Sequence, residues 1–180
     1  MSLSREDAAE ALRLVTQAGQ RSATLRRYQG AAPHLILWGC VYAVAYTFGY
    51  FRPQQAWLAW AILVPAAAIG DALIARRDRG ANSWRPFLAI FTLFVAFIVS
   101  TGAIMQPRDP AQMSAFIPLV VATVYVALGM AIGRRFVITG VALGALTLTG
   151  FFALHSIFML WMGIVGGAAL ILGGFWLKRV

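Results

Sequence analysis

The chain has 180 residues, is 61% hydrophobic, and carries a formal net charge of +9 with a mean hydropathy of +0.76. That hydropathy excludes an ordinary soluble domain and points to one polytopic membrane domain whose apolar exterior is covered by lipid. Nucleic acid is excluded as the reason for the charge, because most basic residues lie within a few positions of the ends of apolar runs, where membrane topology explains them.

Residues 4–28 read as a cytoplasmic helix, with Ser4 as its cap and Asp7 three positions later. Ala8, Ala11, Leu12, Val15 and Leu25 share one face, thin because alanine buries little area. The expected use of that face is packing on the protein's own inner loops; the alternatives are the lipid surface or a protein partner. Gly30 to Pro33 is expected to break the helix, giving a helix and hinge over 1–32 and a transmembrane domain over 33–180. The first apolar run begins too late for a secretory signal peptide.

Six apolar runs then read as spans: 34–51, 55–75, 86–105, 113–133, 136–154 and 157–177. The first holds Cys40, the single cysteine, so no internal disulfide is available. It also carries His34, Trp38, Tyr42, Tyr46 and Tyr50 at every fourth position. Each step of four advances the helix by about 400°, so the row is a ridge that winds round it. Two readings stand. One is a polar-aromatic wall for a quinone, a sterol, a haem or a cationic substrate. The other is a packing ridge with its ends in the interfacial aromatic belts. His34 and His155, the two histidines, fall at opposite membrane faces, so no shared metal site and no cofactor are expected.

In the second span, Asp71 is the one acidic residue expected inside the hydrocarbon, about 7 Å from the cytoplasmic end. Arg76, Arg77, Arg134 and Arg135 are its expected partners; proton or ion coupling and simple snorkelling are the alternatives. Pro65 is expected to kink this span and leave the Ala61 carbonyl without its helical donor. Asp71 to Arg76 resembles the opening of the CDP-alcohol phosphatidyltransferase signature. The resemblance stops there: Ala72 replaces the glycine, and Arg85, Ala89 and Leu93 stand where further motif residues should be, so the family's metal-holding aspartates are missing.

Pairs of glycines four apart mark the last three spans: Gly129 with Gly133, Gly140 with Gly144, and Gly163 with Gly167. In lipid such small residues allow close backbone approach. They serve packing within one subunit or, along the last span, a homodimer seam. Dibasic ends on spans two, four and six suggest three parallel hairpins; an inverted three-plus-three repeat is the rival.

The loops decide orientation. Arg52 and Arg108 stand on one side, and every other basic residue on the other, which places both termini in the cytoplasm. Abundant alanine and arginine beside a single lysine suggest a bacterial source, hence the inner membrane. The spans contain no glutamate and the chain shows no catalytic serine, cysteine or metal motif, so the protein is not expected to be an enzyme. The leading expectation is a non-catalytic accessory, sensor or regulatory subunit. It would bind a protein partner through the N-terminal helix and the loop Arg76–Arg85. The alternatives are a transporter or channel lined by Asp71, Ser100, Thr101, Thr123, Tyr42 and Tyr46, or a lipid- or quinone-binding protein using the aromatic ridge.

Overall fold

The computed structural model describes residues 5–79, 84–107 and 109–179. They form α1 (Arg5–Phe51), α2 (Ala56–Arg79), α3 (Trp84–Met105), α4 (Pro110–Ile132), α5 (Arg134–Ala153), the short α6 (Phe158–Trp161) and α7 (Gly167–Lys178). A π-helical segment, Met162–Gly166, joins α6 to α7, so His155–Lys178 is one composite last span. Among the described residues the fold is all-helical. Five stretches are long and apolar enough to cross a membrane: Leu12–Phe51, Pro53–Arg76, Pro110–Ile132, Arg134–Ala153 and His155–Lys178. α3 contributes a shorter apolar stretch, Ala89–Met105, about 25 Å long at 1.5 Å per residue. Ser4 and most of the turn before Trp84 lie outside the described residues, as do the side chains from Arg77 to Leu88.

The expected break at Gly30 to Pro33 is absent: α1 runs through Pro33 without interruption. Packing on both sides of the proline explains this. Tyr28 and Ala32 before it, and Leu35 after it, are buried in one cluster with Phe136 and Leu177. Gly174 brings α7 so close that a Cβ there would lie 2.9 Å from the Ala32 carbonyl oxygen. The N-terminal part of α1 consequently continues the first span outward and does not fold back onto the inner loops. Leu12 and Val15, expected to be covered, are each 68% exposed.

Two helix pairs dominate, α4 with α5 and α1 with α7. Glycines make both. A Cβ at Gly140 would lie 2.6 Å from the Ala122 carbonyl oxygen of α4, and one at Gly129 would meet the Val137 backbone nitrogen at 2.5 Å. In the last span, Gly163 faces Thr47 and Gly167 faces Ala43 and Gly39. The glycine face of the last span is thereby occupied by α1 of the same chain and is not free to serve as a dimer seam. Gly144 meets only the Ala122 side chain, at 3.6 Å. Gly133 is the turn between α4 and α5; its φ of 149° belongs to glycine, and Tyr28 of α1 lies against it. Three equal hairpins are not seen in the packing, since α3 rests mainly on α2.

One proline shows how the bundle satisfies its own backbone. Pro118 lies inside α4 and cannot donate to the carbonyl four residues earlier, that of Ser114. The Tyr46 hydroxyl of α1 donates to that oxygen at 2.6 Å. Tyr46→Phe should therefore leave a buried carbonyl without a donor and cost about 1–3 kcal/mol. Thermal unfolding of the purified variant measures this, and an unchanged midpoint would show that the bond contributes nothing.

Candidate functional site

The winding ridge of α1 brings its N-terminal end, at His34 and Trp38, against α2. His34 and Trp38, one turn apart, both reach Asp71, which is only 2% exposed. His34 Nδ1 lies 2.6 Å from Asp71 Oδ1, and Trp38 Nε1 donates to Oδ2 at 2.7 Å. An ionised carboxylate only accepts, so Nδ1 carries the proton and donates. Each carboxylate oxygen takes one ring N–H, leaving further lone pairs on both. A carboxylate in mid-membrane costs about 2.5–3.5 kcal/mol. Hydrogen bonds to a charged group contribute about 1.5–3 kcal/mol each, so two suffice to hold it.

This corrects the expected partners of Asp71. Arg76 is exposed. Arg135 instead donates from Nη1 to the Trp176 carbonyl oxygen at 2.7 Å and lies over the Tyr28 and Trp176 rings. It thus serves the carbonyl end of α7, where a cation is favourable. The Arg77 side chain lies outside the described residues.

Beside the cluster lies a cavity of about 560 Å³ between α1, α2, α3 and α4. Trp38 and Tyr42 line it from α1, Trp60, Ala61, Val64, Pro65 and Asp71 from α2, and Tyr125 from α4. The far wall is α3, through Ile90, Phe91, Phe94, Val95, Ile98 and Val99. α3 reaches across to α1 and α4 by side chains, with Phe91 6.2 Å from Trp38 and Phe97 6.4 Å from Phe116 between ring centroids. The wall is apolar except at a few points. The Tyr42 hydroxyl is buried and has no hydrogen-bond partner among the described residues. A buried polar group left unpaired costs about 1–3 kcal/mol. Across from it, Pro65 supplies no N–H to the Ala61 carbonyl, and both residues line the same cavity. The contrast with Tyr46 and Pro118 is direct: there the hydroxyl meets the carbonyl that proline frees, and here no such bond is made.

The ridge is therefore divided among three tasks. His34 and Trp38 hold Asp71, and Tyr42 is part of the cavity lining, with its hydroxyl buried. Tyr46 ties α1 to α4 and packs edge-on against Trp60 at 5.0 Å. Tyr50, at the far end, sits edge-on to Phe51 and is exposed. Of the expected channel lining, Asp71 and Tyr42 border the cavity; Ser100, Thr101 and Thr123 do not. Thr123 donates back to the Leu119 carbonyl of its own helix. Sequence reasoning did not single out Trp60, Phe91, Phe94 or Tyr125 as wall residues. Nothing in their spacing marks them, because each comes from a different helix or stands among other apolar residues. His155 lies apart, 3.2 Å from Asp109 through Nε2. Among the described residues no three His, Cys, Asp or Glu side chains gather as a metal site.

Comparison with protein-family models, with curated proteins and with solved structures finds no match. The site carries the functional argument alone.

Proposed function

We propose that this is a small, non-catalytic inner-membrane protein that holds an apolar, membrane-borne ligand in the cavity beside Asp71 and acts as a sensor or regulatory subunit. The observation that carries the reading is a cavity of about 560 Å³ walled almost wholly by apolar and aromatic side chains, with the buried Asp71 in its lining. Ligand sites have this character: mostly hydrophobic and aromatic walls with a few placed polar groups. The same helix supplies the read-out in this proposal. α1 forms the cavity wall at Trp38 and Tyr42 and continues without a break to Arg5, about 50 Å beyond Trp38 at 1.5 Å per residue. A shift of the wall on binding would move that arm, which offers exposed Leu12, Leu14 and Val15 to a protein partner.

Six spans with both termini cytoplasmic belong to the same proposal. Tyr28, Phe136 and Leu177 share one cluster, so the base of the arm, the α4–α5 turn and the end of α7 lie at one end of the bundle. Arg26, Arg27, Arg134, Arg135, Lys178 and Arg179 are concentrated at that end, as retention in the cytoplasm demands. A channel or transporter is the less favoured reading, because Ser100, Thr101 and Thr123, three of the residues expected to line it, do not border the cavity.

Val121 also lines the cavity from α4, and Val121→Trp tests the reading by filling the space. Native mass spectrometry of protein released from its own membranes should show a retained small apolar molecule on the wild type and none on the variant. A bare wild-type protein, with Val121→Trp equally stable and equally bare, overturns the proposal.

A further inference from the structure

We propose that the ligand is a lipophilic cation, held by the ring faces of the cavity wall with the Asp71 carboxylate as its counter-charge. This rests on the cavity reading and narrows it to one chemical class. Six aromatic rings line the space: Trp38, Tyr42, Trp60, Phe91, Phe94 and Tyr125. The described lining residues include the acidic side chain of Asp71 and no basic residue. Aromatic faces attract cations through the ring quadrupole, most strongly where water is excluded. Aromatic rings and a carboxyl group, the two elements of a site for an organic cation, are therefore found in one lining.

The cluster around Asp71 strengthens the case. The His34 and Trp38 rings each meet one oxygen of the Asp71 carboxyl and fix its orientation. Only two of the roughly four acceptor positions of the carboxylate are used by these bonds. Trp38 gains in turn, because a carboxylate on its Nε1–H polarises the indole and makes its face more negative. The large apolar surface requires that the charge be carried on a hydrophobic body, since a small hydrated ion would not surrender its water for phenylalanine and valine.

Tetraphenylphosphonium is the probe, with triphenylphosphine oxide as its neutral counterpart, and titration calorimetry of the full chain in detergent is the measurement. The wild type should bind the cation at least about tenfold more tightly than the neutral compound. Asp71→Asn should lose about tenfold or more in cation affinity while binding of the neutral compound holds, and Asp71→Glu should retain most of it. Should Asp71→Asn fail to fold, Trp60→Leu keeps the test open: it removes a ring face and should weaken the cation about tenfold without weakening the neutral compound. Equal or tighter binding of the neutral compound, or cation affinity unchanged in both Asp71→Asn and Trp60→Leu, overturns the cation assignment and leaves the cavity reading standing. If neither compound binds the wild type, the cation assignment is overturned. The cavity reading then stands or falls on the retained ligand and the Val121→Trp comparison.

Discussion

Asp71→Ala should destabilise the protein by about 3–5 kcal/mol, more than any other truncation on the cavity wall. The substitution removes two charge-assisted bonds at once, from His34 at 2.6 Å and from Trp38 at 2.7 Å. It also leaves the ring N–H of Trp38 facing a wall with no other acceptor of comparable strength. His34→Ala is expected to cost less, because Trp38 still holds one carboxylate oxygen. The decisive measurement is a double-mutant cycle of His34→Ala and Asp71→Ala, followed by thermal unfolding in one detergent. Direct contact requires a coupling of about 1–3 kcal/mol, whereas independent sites add. Additive losses would mean that the pair does not act as a unit.

The second large effect is expected at Gly39, in the seam between α1 and the last span. A Cβ there would sit 2.6 Å from Ile171 Cγ1 and 2.9 Å from both the Gly167 carbonyl oxygen and the Ile171 nitrogen. The side-chain atom can turn away, but the two backbone atoms cannot without parting the helices. Gly39→Val should cost about 3 kcal/mol, at the upper end for overpacking. Gly30→Ala is the control on the same helix. A Cβ there meets nothing within 4 Å, so replacing glycine inside a helix should stabilise by about 0.5–1 kcal/mol. If both substitutions shift the unfolding midpoint alike, close packing is not what makes Gly39 matter.

The two predictions concern the same helix for a physical reason. α1 is the hub of the bundle: one face carries the ridge toward α2 and the cavity, and another meets the glycines of the last span. A helix packed on both sides has little freedom to bend, which accounts for its passage through Pro33. The proline still lacks its N–H, but the cluster of Tyr28, Ala32, Leu35 and Leu177 holds the helix axis on either side of it. Local propensity indicated a break there, and tertiary packing overrode it.

The site was legible only in fragments. Asp71 stood out because a carboxylate within an apolar run is costly wherever it lies. His34, Trp38 and Tyr42 stood out because their spacing puts them along one ridge. That these two signals belong to one site was not legible. The nearest arginines in sequence were the expected partners, whereas the observed donors lie 37 and 33 residues away on α1. Charge alone favours arginine, but helix rotation decides which side chain arrives, and here it presents ring nitrogens. Tyr46 and Pro118 make the same point, since neither residue announces the other across the 68 positions between Tyr46 and Ser114.

Transfer into hydrocarbon is a local and nearly additive property of each run of residues, so composition and order settled the helix content and the limits of most apolar segments. The choice of neighbour and the rotation of each helix about its axis are different in kind. Lipid tails are as apolar as leucine, so burial of hydrophobic surface does not select one helix pairing over another. Close backbone approach at glycines and the matching of a few buried donors and acceptors make that choice. Those contacts join residues far apart in the chain, and they built the cavity, seated Asp71 against α1 and left the Tyr42 hydroxyl without a hydrogen-bond partner among the described residues.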